Sequence, residues 1–477
     1  MRLRFFSHFL RVAALAAAAL SAVVSCNRPA EQLETGRYYS VMANGNQYFV
    51  WLDEYDDDFR ASGHLYSQVN DTLLARRDLY VTPGKKKITV LSGGSVYKFK
   101  PSQLAVSPYV EPDFRIGDLG LYRTPKSYEV TTSTDIVYGK AQGYWTSLEG
   151  AEQDVFKVFS KGYLKSFKKR NLDLTLDLYK PADLSGSRPL IMFMHGGAFY
   201  IGYKNEPAYI DFCKYFASMG YVTASINYRL GFHVSKKEIT RAEDDAIEDA
   251  QTALKYLKSH ASEYGIDPDR IFVAGSSAGS IAALNLAFDK KADVLALANM
   301  WGAVTDLDIL KKAHTSIVSF HGDADNVVPY AEGYPLSGAG EGVAKMLSDK
   351  MYGSSHIDKK AGEIGLRHHL FTFPGEGHAL NTDKDKQPNK NHTFIKEKMA
   401  DFFFEELIPV HPHISSDGHG LYFVEGDGLT DIMWKVDGGF ALPSSVNGQI
   451  RVLWCDDQLH DLTAVGKYKD IEWMTEL

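Results

Sequence analysis

The stretch Arg270–Ser280 (RIFVAGSSAGS) constrains the fold of this chain more than any other part of the sequence. A short apolar run at its start predicts a buried strand, and the apolar residues after Ser280 predict a packed helix. A Gly-x-Ser-x-Gly sequence joins the two, and such a turn holds its serine in a strained backbone with the hydroxyl exposed. Gly275 and Gly279 suit a place where strand and helix pass too closely for a side chain. We therefore predict that Ser277 is a nucleophile, at a helix N-terminus where free N–H groups favour negative charge.

A second glycine-rich segment, His195-Gly196-Gly197-Ala198, closes an apolar strand upstream of the serine. The second arm of an oxyanion hole comes from such a strand end. The N–H groups of Gly197 and Ala198 are expected to point at a developing oxyanion, together with the N–H of Ala278. Each donor of this kind contributes on the order of 3 kcal/mol to the transition state. Alone, the segment would also suit a simple Gly-Gly turn, but the serine motif downstream favours the oxyanion hole.

Two more strand ends supply an acid and a base. Residues 321–325 (HGDAD) follow an apolar strand and offer two carboxylates, either of which would fix the tautomer of a histidine. Chemistry alone does not separate Asp323 from Asp325. His378 ends the glycine-containing segment 373–378 (FPGEGH) and completes the order Ser, Asp, His. The other fifteen histidines lack this context.

These four motifs resemble the α/β-hydrolase superfamily over roughly residues 128–408, and in particular its carboxylesterase and hormone-sensitive-lipase-like branches. The resemblance implies a doubly wound, mostly parallel sheet and a serine esterase that needs neither a cofactor nor a metal. It implies that Ser277 is the nucleophile and His378 the base, with the three oxyanion donors named above. It implies that Asp325 is the acid, because family members carry the acid three residues before the valine of a Val-Pro pair, here Val328.

The resemblance extends to substrates. Residues 176–181 (LDLYKP) and the HGDADNVVP segment resemble bacterial esterases of small or sugar-linked esters, which implies acetyl or feruloyl groups. A prolyl-oligopeptidase-like peptidase is an alternative, since it shares the fold and the acid motif. Against it, the N-terminal β segment is too short for a β-propeller, and Ala278 stands where those enzymes usually carry tyrosine. A non-catalytic surface-binding protein is a third reading, although such proteins usually lose a triad residue.

The first residues have the features of a bacterial lipoprotein signal peptide. A basic start up to Arg11 precedes an Ala-rich run, residues 12–24, that is too short to span a bilayer comfortably. Residues 23–26 (VVSC) resemble a lipobox, so residues 1–25 would be removed and Cys26 lipidated. An ordinary signal peptide with a chance cysteine is the alternative. The lipobox implies a lipid anchor in the envelope of a Gram-negative cell, in the outer membrane, with the globular part periplasmic or surface-exposed.

The charge of the chain argues against nucleic acid as a partner. Its formal charge of −8 becomes −11 when the three leader arginines are removed, and no basic stripe is present. The acidic run Glu243–Asp249 spreads around a helix at its spacing, so we expect a solvated face rather than a metal site. The histidine pairs near residues 368 and 411 lack the spacing of metal ligands. Cys213 and Cys455 are predicted to be core residues.

Composition divides the remaining chain into three domains. Residues 26–120 are β-rich, and Asn44-Gly45 predicts a hairpin turn. Residues 121–408 alternate strands with helices, as a parallel α/β sheet requires. Residues 409–477 return to a β pattern and predict a small sandwich, loosely resembling PKD-like surface modules.

Two further expectations concern the central region. A long helix is predicted over about Ala242–Tyr264. Between Tyr330 and Leu366, glycines and a helical stretch at Val343–Met351 predict a small cap over Ser277. The aromatic residues at 199, 200 and 203 would line the entrance of the site or serve only in packing.

Overall fold

The computed structural model describes residues 33, 35, 37–43, 46–55, 57, 61–69, 72–83, 88–92, 95–100, 105–106, 121–123, 125, 128–146, 168–182, 186–311, 314–384, 387–418, 420–436, 439–443, 446, 448–454 and 461–477. The chain divides into two compact units, Ile116–Pro409 and a second formed by Met1–Arg115 with Val410–Leu477. The predicted signal peptide and Cys26 lie outside the described residues. The domain boundaries inferred from composition stay a prediction.

The N-terminal segment forms one antiparallel sheet. Its strands are β1 (Arg37–Ala43), β2 (Asn46–Tyr55), β3 (Ala61–Val69), β4 (Thr72–Pro83), β5 (Ile88–Ser92), β6 (Ser95–Phe99) and β7 (Ala105–Val106). They stand in the order β6-β5-β4-β3-β2-β1-β7, so β1 to β6 each lie beside their neighbours in the chain. Strands β1 and β2 pair with Ala43 opposite Asn46. The turn between them, predicted at Asn44-Gly45, lies outside the described residues.

The central unit alternates strands and helices. Its elements are β8 (Val130–Gly143), β9 (Arg170–Pro181), β10 (Arg188–Met194), α1 (Pro207–Ala217), β11 (Val222–Ile226), α2 (Lys236–Ser259), α3 (Ala261–Tyr264), β12 (Ile266–Ser276), α4 (Ala278–Leu284), a π-helix (Asn285–Asp289), β13 (Ala296–Met300), β14 (Ala303–Val304), a 3-10 turn (Leu307–Leu310), β15 (Ser316–Gly322), β16 (Glu332–Gly333), a 3-10 turn (Ser337–Ala339), α5 (Glu341–Leu347), β17 (Met351–Gly353), α6 (Ser354–Glu363), β18 (His368–Phe373) and α7 (Lys390–Leu407).

The main sheet has the order β18-β15-β13-β12-β10-β11-β9-β8. The six strands from β18 to β11 run parallel, and β9 and β8 are antiparallel additions at one edge. Residues 189–194 of β10 are buried throughout, as expected for a central strand covered on both faces. The prediction of a doubly wound, mostly parallel sheet is confirmed. This order brings the carboxyl ends of β10, β12, β15 and β18 to one edge of the sheet.

Two helix predictions need correction. The helix expected over Ala242–Tyr264 begins earlier, at Lys236, because the side chain of Ser235 accepts the N–H of Glu238 and caps the helix. It ends at Ser259, and α3 follows as a separate short helix. The stretch expected over Val343–Met351 is helical only in α5, and Met351 starts β17 in a three-stranded sheet with β14 and β16.

The solvated face expected for the acidic run is wrong for Asp249, which is only 1% exposed. Its carboxylate accepts the backbone N–H of Arg229 at 2.7 Å and the guanidinium Nε at 2.9 Å. The residue faces the core side of α2, where a buried carboxylate is stable only beside such a partner. Other members of the run, such as Asp244 and Glu248, are exposed as expected.

The C-terminal segment is again antiparallel. Its strands are β19 (His413–Ser416), β20 (Leu421–Glu425), β21 (Leu429–Val436), β22 (Gly439–Pro443), β23 (Gln449–Trp454), β24 (Leu462–Tyr468) and β25 (Ile471–Glu476). They form a four-stranded sheet, β19-β20-β23-β22, and a three-stranded sheet, β21-β24-β25. Antiparallel β structure at both ends of the chain is therefore confirmed.

Cys213 is buried and unpaired, as predicted, whereas Cys455 lies outside the described residues. Among the described residues, no helix has the length and apolar character needed to cross a membrane.

Candidate active site

Ser277 occupies the sharp turn between β12 and α4. Its backbone has φ 51° and ψ −121°, a conformation that costs a non-glycine residue of order 1–3 kcal/mol. A Cβ on Gly275 would lie 2.3 Å from the carbonyl oxygen of Gly279, and one on Gly279 would lie 2.2 Å from that of Met194. Both glycines are required because backbone fills the space where their side chains would stand.

His378 bridges the serine and a carboxylate. Its Nε2 lies 2.9 Å from Oγ of Ser277, and its Nδ1 lies 2.7 Å from Oδ2 of Asp325. The other oxygen of Asp325 accepts the backbone N–H groups of Val327 at 2.8 Å and Val328 at 3.0 Å. The structure thus brings together the three residues that the sequence assigned as nucleophile, base and acid.

Asp323, the other carboxylate that the sequence left open, lies elsewhere. Its Oδ1 accepts the backbone N–H of Gly375 at 2.6 Å, in the loop that carries His378. It therefore supports the backbone of that loop, while Asp325 meets the imidazole of His378.

Asp325 is held in its ionised form. Burial would raise the pKa of this carboxyl, but hydrogen bonds from His321 and His378 and the charge of His378 outweigh burial and hold the pKa well below its usual range. The contact with His321, at 3.2 Å from its Nε2, was missed by the sequence reasoning. In the sequence, the one sign of this contact was that His321 begins the same HGDAD segment as Asp325.

The proposed oxyanion arm is a tight turn with unusual backbone angles. Gly197, Ala198 and Phe199 have φ of 113°, 54° and 56°. The carbonyl of Gly197 accepts the N–H groups of Tyr200 and Ile201 at 2.9 and 3.0 Å. Within the described part of the chain, no hydrogen bond uses the N–H of Gly197 or Ala198, so both remain available to a substrate oxygen.

The third proposed donor, Ala278, is the first residue of α4. Its N–H is one of the amides that the start of a helix leaves without a partner inside the helix. Gly197 and Ala198 line the same pocket as Ser277 and His378. The three candidate donors therefore come from the two backbone segments that flank the serine hydroxyl.

Tyr209 on α1 ties these two segments together, a contact that the sequence reasoning also missed. Its hydroxyl accepts the N–H of Gly196 at 3.0 Å and is hydrogen-bonded to Oγ of Ser276. The oxyanion arm and the nucleophile strand are thereby joined through one buried phenol. A tyrosine within an apolar helical pattern gives no local sign of this role.

His195, which precedes the oxyanion arm, is a structural residue rather than a second base. Its ring stacks on Tyr228 with centroids 4.3 Å apart, and the Tyr228 hydroxyl donates to the carbonyl of His195 at 2.6 Å. Burial lowers the pKa of His195 to about 4, against a raising effect of its hydrogen bond to Gly196. The ring is therefore neutral at pH 7.

A pocket of about 280 Å³ opens over the serine. It is lined by Gly196, Gly197, Ala198, Ile201, Glu206, Pro207, Ala208, Tyr209, Ser276, Ser277, Trp301, Val327, Leu336, His378, Ala379, Asn381 and Thr382. From the segment expected to form a cap, Leu336 is the residue in this lining. Phe199 and Tyr200 are buried in the core and do not line the pocket, so of the two roles considered for them they serve in packing.

The strand order, the turn at Ser277 and the spatial meeting of residues from the ends of β12, β15 and β18 decide the fold. The central unit has the α/β-hydrolase fold. In such folds the ligand binds outside the carboxyl ends of the parallel strands, which is where the pocket over Ser277 lies.

Part of the central unit is similar to known proteins. The family model described as BD-FAE matches residues 176–297, a segment that contains Gly197, Ala198 and Ser277 and ends before Asp325. The chain is similar to the para-nitrobenzyl esterase of Bacillus subtilis (strain 168), with 37% identity over 117 residues, 23% of this chain and 24% of that protein. It is also similar to the probable carboxylic ester hydrolase LipM of Mycobacterium tuberculosis, with 36% identity over 115 residues, 23% of this chain and 25% of LipM.

The chain thus spans about a quarter of the length of these curated relatives. Among solved structures, esterase 2 of Thermogutta terrifontis phosphonylated by cyclosarin has a TM-score of 0.37 at 23% identity, covering 50% of this chain and 90% of that one.

Proposed function

We propose that this protein is a serine carboxylic-ester hydrolase that works through an acyl-enzyme intermediate. The observation that carries the proposal is the hydrogen-bonded path from Ser277 Oγ to His378 at 2.9 Å and on to Asp325 at 2.7 Å. The similarity of residues 176–297 to the BD-FAE family and of the chain to named esterases supports the same reaction class.

In this mechanism Oγ of Ser277 attacks the ester carbonyl while Nε2 of His378 takes its proton. The carbonyl oxygen becomes an oxyanion that accepts hydrogen bonds from the N–H groups of Gly197, Ala198 and Ala278. Collapse of this intermediate expels the alcohol, which receives the proton from His378. Water, activated by the same histidine, then attacks the acyl-enzyme and releases the acid and the free serine.

The substrates we propose are short-acyl or carbohydrate-linked esters, such as acetyl and feruloyl esters. A pocket of about 280 Å³ has room for a small acyl group. Its wall is mainly apolar, with polar side chains from Glu206, Asn381 and Thr382 that suit a hydroxylated alcohol portion. The sequence resemblance to esterases of small or sugar-linked esters points the same way.

Turnover of p-nitrophenyl esters from two to ten carbons, with acetylated xylan and methyl ferulate alongside, tests this proposal. We expect the wild type to favour the shortest chains, since a longer acyl chain overfills the pocket, and forcing extra methylenes into a packed space costs about 1–3 kcal/mol. Ser277→Ala should abolish turnover. Equal rates for Ser277→Ala and the wild type would reject the mechanism, and a maximum at eight or ten carbons would reject the short-acyl assignment.

The same assay separates the esterase from a prolyl-oligopeptidase-like peptidase. In those enzymes a β-propeller of four-stranded blades accompanies the catalytic domain. Here β1 to β7 form a single seven-stranded sheet, which favours the esterase. Faster hydrolysis of aminoacyl-proline amides than of acetyl esters would reverse this preference. Failure of a fluorophosphonate probe to label Ser277 in folded protein would instead favour a non-catalytic binding protein.

We also propose that the protein is anchored to the outer membrane of a Gram-negative envelope by lipid on Cys26. This rests on the lipobox-like VVSC sequence at residues 23–26. Stable attachment requires two or more acyl chains, as lipoproteins carry. In a Gram-negative host, Cys26→Ala should move the protein from the membrane pellet to the soluble fraction, while the matched Cys213→Ala variant should stay in the pellet. A Cys26→Ala protein that remains in the pellet would reject the anchor.

A further inference from the structure

A second histidine, His321, contacts the carboxylate that orients the base. Its Nε2 lies 3.2 Å from Oδ2 of Asp325, the same oxygen that His378 approaches at 2.7 Å. His321 is completely buried at the end of β15. The acyl-transfer scheme leaves this residue without a role, although it touches the acid directly.

The surrounding hydrogen bonds fix which nitrogen of His321 carries the proton. The backbone N–H of Gly302 can only donate, and it lies 2.9 Å from Oδ1 of Asn299, so that atom is the amide oxygen. The amide nitrogen of Asn299 therefore donates to Oγ of Ser354 at 3.0 Å and to Oγ of Ser319 at 3.1 Å.

Ser354 then has its own hydroxyl hydrogen left for His321. Its Oγ lies 2.8 Å from Nδ1 of the ring. The opposite nitrogen, Nε2, faces Oδ2 of Asp325 and, at 3.3 Å, the carbonyl oxygen of Val328, both of which only accept. Nε2 therefore carries the hydrogen, and the bonds run in one direction from Asn299 through Ser354 and His321 to the acid.

The chain of bonds also reaches the nucleophile helix. Oγ of Ser280, one turn after Ser277 in α4, donates to the amide oxygen of Asn299 at 2.6 Å. Ser280, Asn299, Ser354 and His321 are all fully buried, so water does not compete for these bonds.

We propose that His321 is a positioning residue for Asp325, and that Asn299 and Ser354 hold its ring so that Nε2 donates to the carboxylate. Its N–H holds the carboxylate in the plane that meets His378 and takes part of the negative charge on Oδ2. The inference rests on the proposed function, since it assigns a role within the same triad.

The test compares His321→Leu, which removes the donor, with His321→Gln, which keeps a side-chain N–H. We expect His321→Leu to lower kcat by about tenfold to hundredfold per fluorophosphonate-titrated site, with KM little changed. The acid limb of its kcat/KM profile should move to higher pH, because an Asp325 without the second donor holds a proton on His378 more tightly. His321→Gln should recover most of the rate.

A merely structural role for His321 predicts a different result, namely fewer titrated sites with unchanged kcat per site and an unchanged pH profile. That outcome would overturn the proposal. His368→Gln is the matched control, because His368 also contacts a carboxylate, Asp358 at 2.6 Å, but lies outside the pocket. His368→Gln should leave both kcat per titrated site and the pH profile unchanged.

If His321→Leu does not fold, Ser354→Ala and Ser354→Thr carry the test. Ser354→Ala removes the hydroxyl that faces Nδ1 of His321 and so no longer fixes its tautomer. We expect a several-fold loss of kcat and a shift of the pH profile in the same direction as for His321→Leu. Ser354→Thr should restore the kcat and the pH profile of the wild type. If Ser354→Ala has the kcat and the pH profile of the wild type, the inference is refuted.

The rate at which the fluorophosphonate labels Ser277 separates the two proposals. This rate depends on nucleophile activation and needs no ester substrate. If the wild type is labelled rapidly but hydrolyses no ester, the proposed function is wrong. If the wild type and His321→Leu are labelled at equal rates, only the role proposed for His321 is wrong.

Discussion

His378 and Asp325 meet through Nδ1 and Oδ2 at 2.7 Å, while Oδ1 of the same carboxylate accepts two backbone N–H groups. Both oxygens of the acid are therefore fixed. Asp325→Asn would replace the acceptor with an amide and favour the wrong tautomer of the histidine. We expect kcat to fall by roughly 10⁴-fold, measured on a p-nitrophenyl ester.

The control for this change is Asp323→Asn. The amide oxygen of asparagine still accepts the N–H of Gly375, which lies 2.6 Å from Asp323. We expect less than about a tenfold loss of kcat. A severe loss in Asp323→Asn beside a mild one in Asp325→Asn would show that the acid was assigned to the wrong residue.

The positive φ of Ser277 predicts that this serine destabilises the fold. Ser277→Gly and Ser277→Ala should both be inactive, but glycine adopts φ 51° and ψ −121° without strain. We expect Ser277→Gly to be about 1 kcal/mol more stable than Ser277→Ala, after allowing for the greater chain entropy of glycine. Urea unfolding of the two variants checks this, and equal midpoints would count against backbone strain at the turn.

Gly279 allows α4 to approach β10 closely. Gly279→Ala would place a Cβ 2.2 Å from the carbonyl oxygen of Met194, so the helix must move. We expect several kcal/mol lower stability and loss of activity. Gly342→Ala in α5 is the matched control, since its Cβ would meet nothing within 4 Å. It should be neutral or stabilising by up to about 1 kcal/mol, and similar thermal midpoints for both variants would contradict the prediction.

Burial of neutral His195 makes stability depend on pH. Its pKa is about 4 in the folded protein and about 6.5 in an unfolded chain, so between these values the unfolded state binds more protons. The free energy of unfolding therefore falls as the pH is lowered through this window, by roughly 3 kcal/mol at most. His195→Phe should lose this part of the dependence, as urea unfolding from pH 7 to pH 4 would detect. Identical slopes for the two proteins would contradict the assignment.

The sequence was most informative where the chemistry depends on local backbone. The glycines around Ser277 and the motif at each strand end are short local sequences. The fold and the positions that meet at the site could therefore be predicted. A choice between Asp323 and Asp325 needed the resemblance to a family, because both follow the same strand. The geometry that separates them comes from a loop about fifty residues further on, which carries His378.

The partners that sequence reasoning missed are distant along the chain. Asp249 looked solvated because its neighbours are charged, and its partner Arg229 stands on a different element after β11. Likewise, nothing in the local sequence marks Ser354 as the neighbour of His321. Ser354 directly follows β17, and the pairing of β17 with β14 and β16 brings it to His321. Such contacts depend on which strands become neighbours, which local periodicity does not encode.

Strands β10 and β12 are hydrogen-bonded neighbours, with Met194 opposite Gly275. The two segments that carry Gly197, Ala198 and Ser277 are therefore placed by main-chain pairing. Leu336, Asn381 and Thr382 line the same pocket but lie outside the helices and strands. If the proposed esterase activity holds, laboratory evolution confined to these three positions should change the choice of ester while the residues of bond cleavage stay as they are.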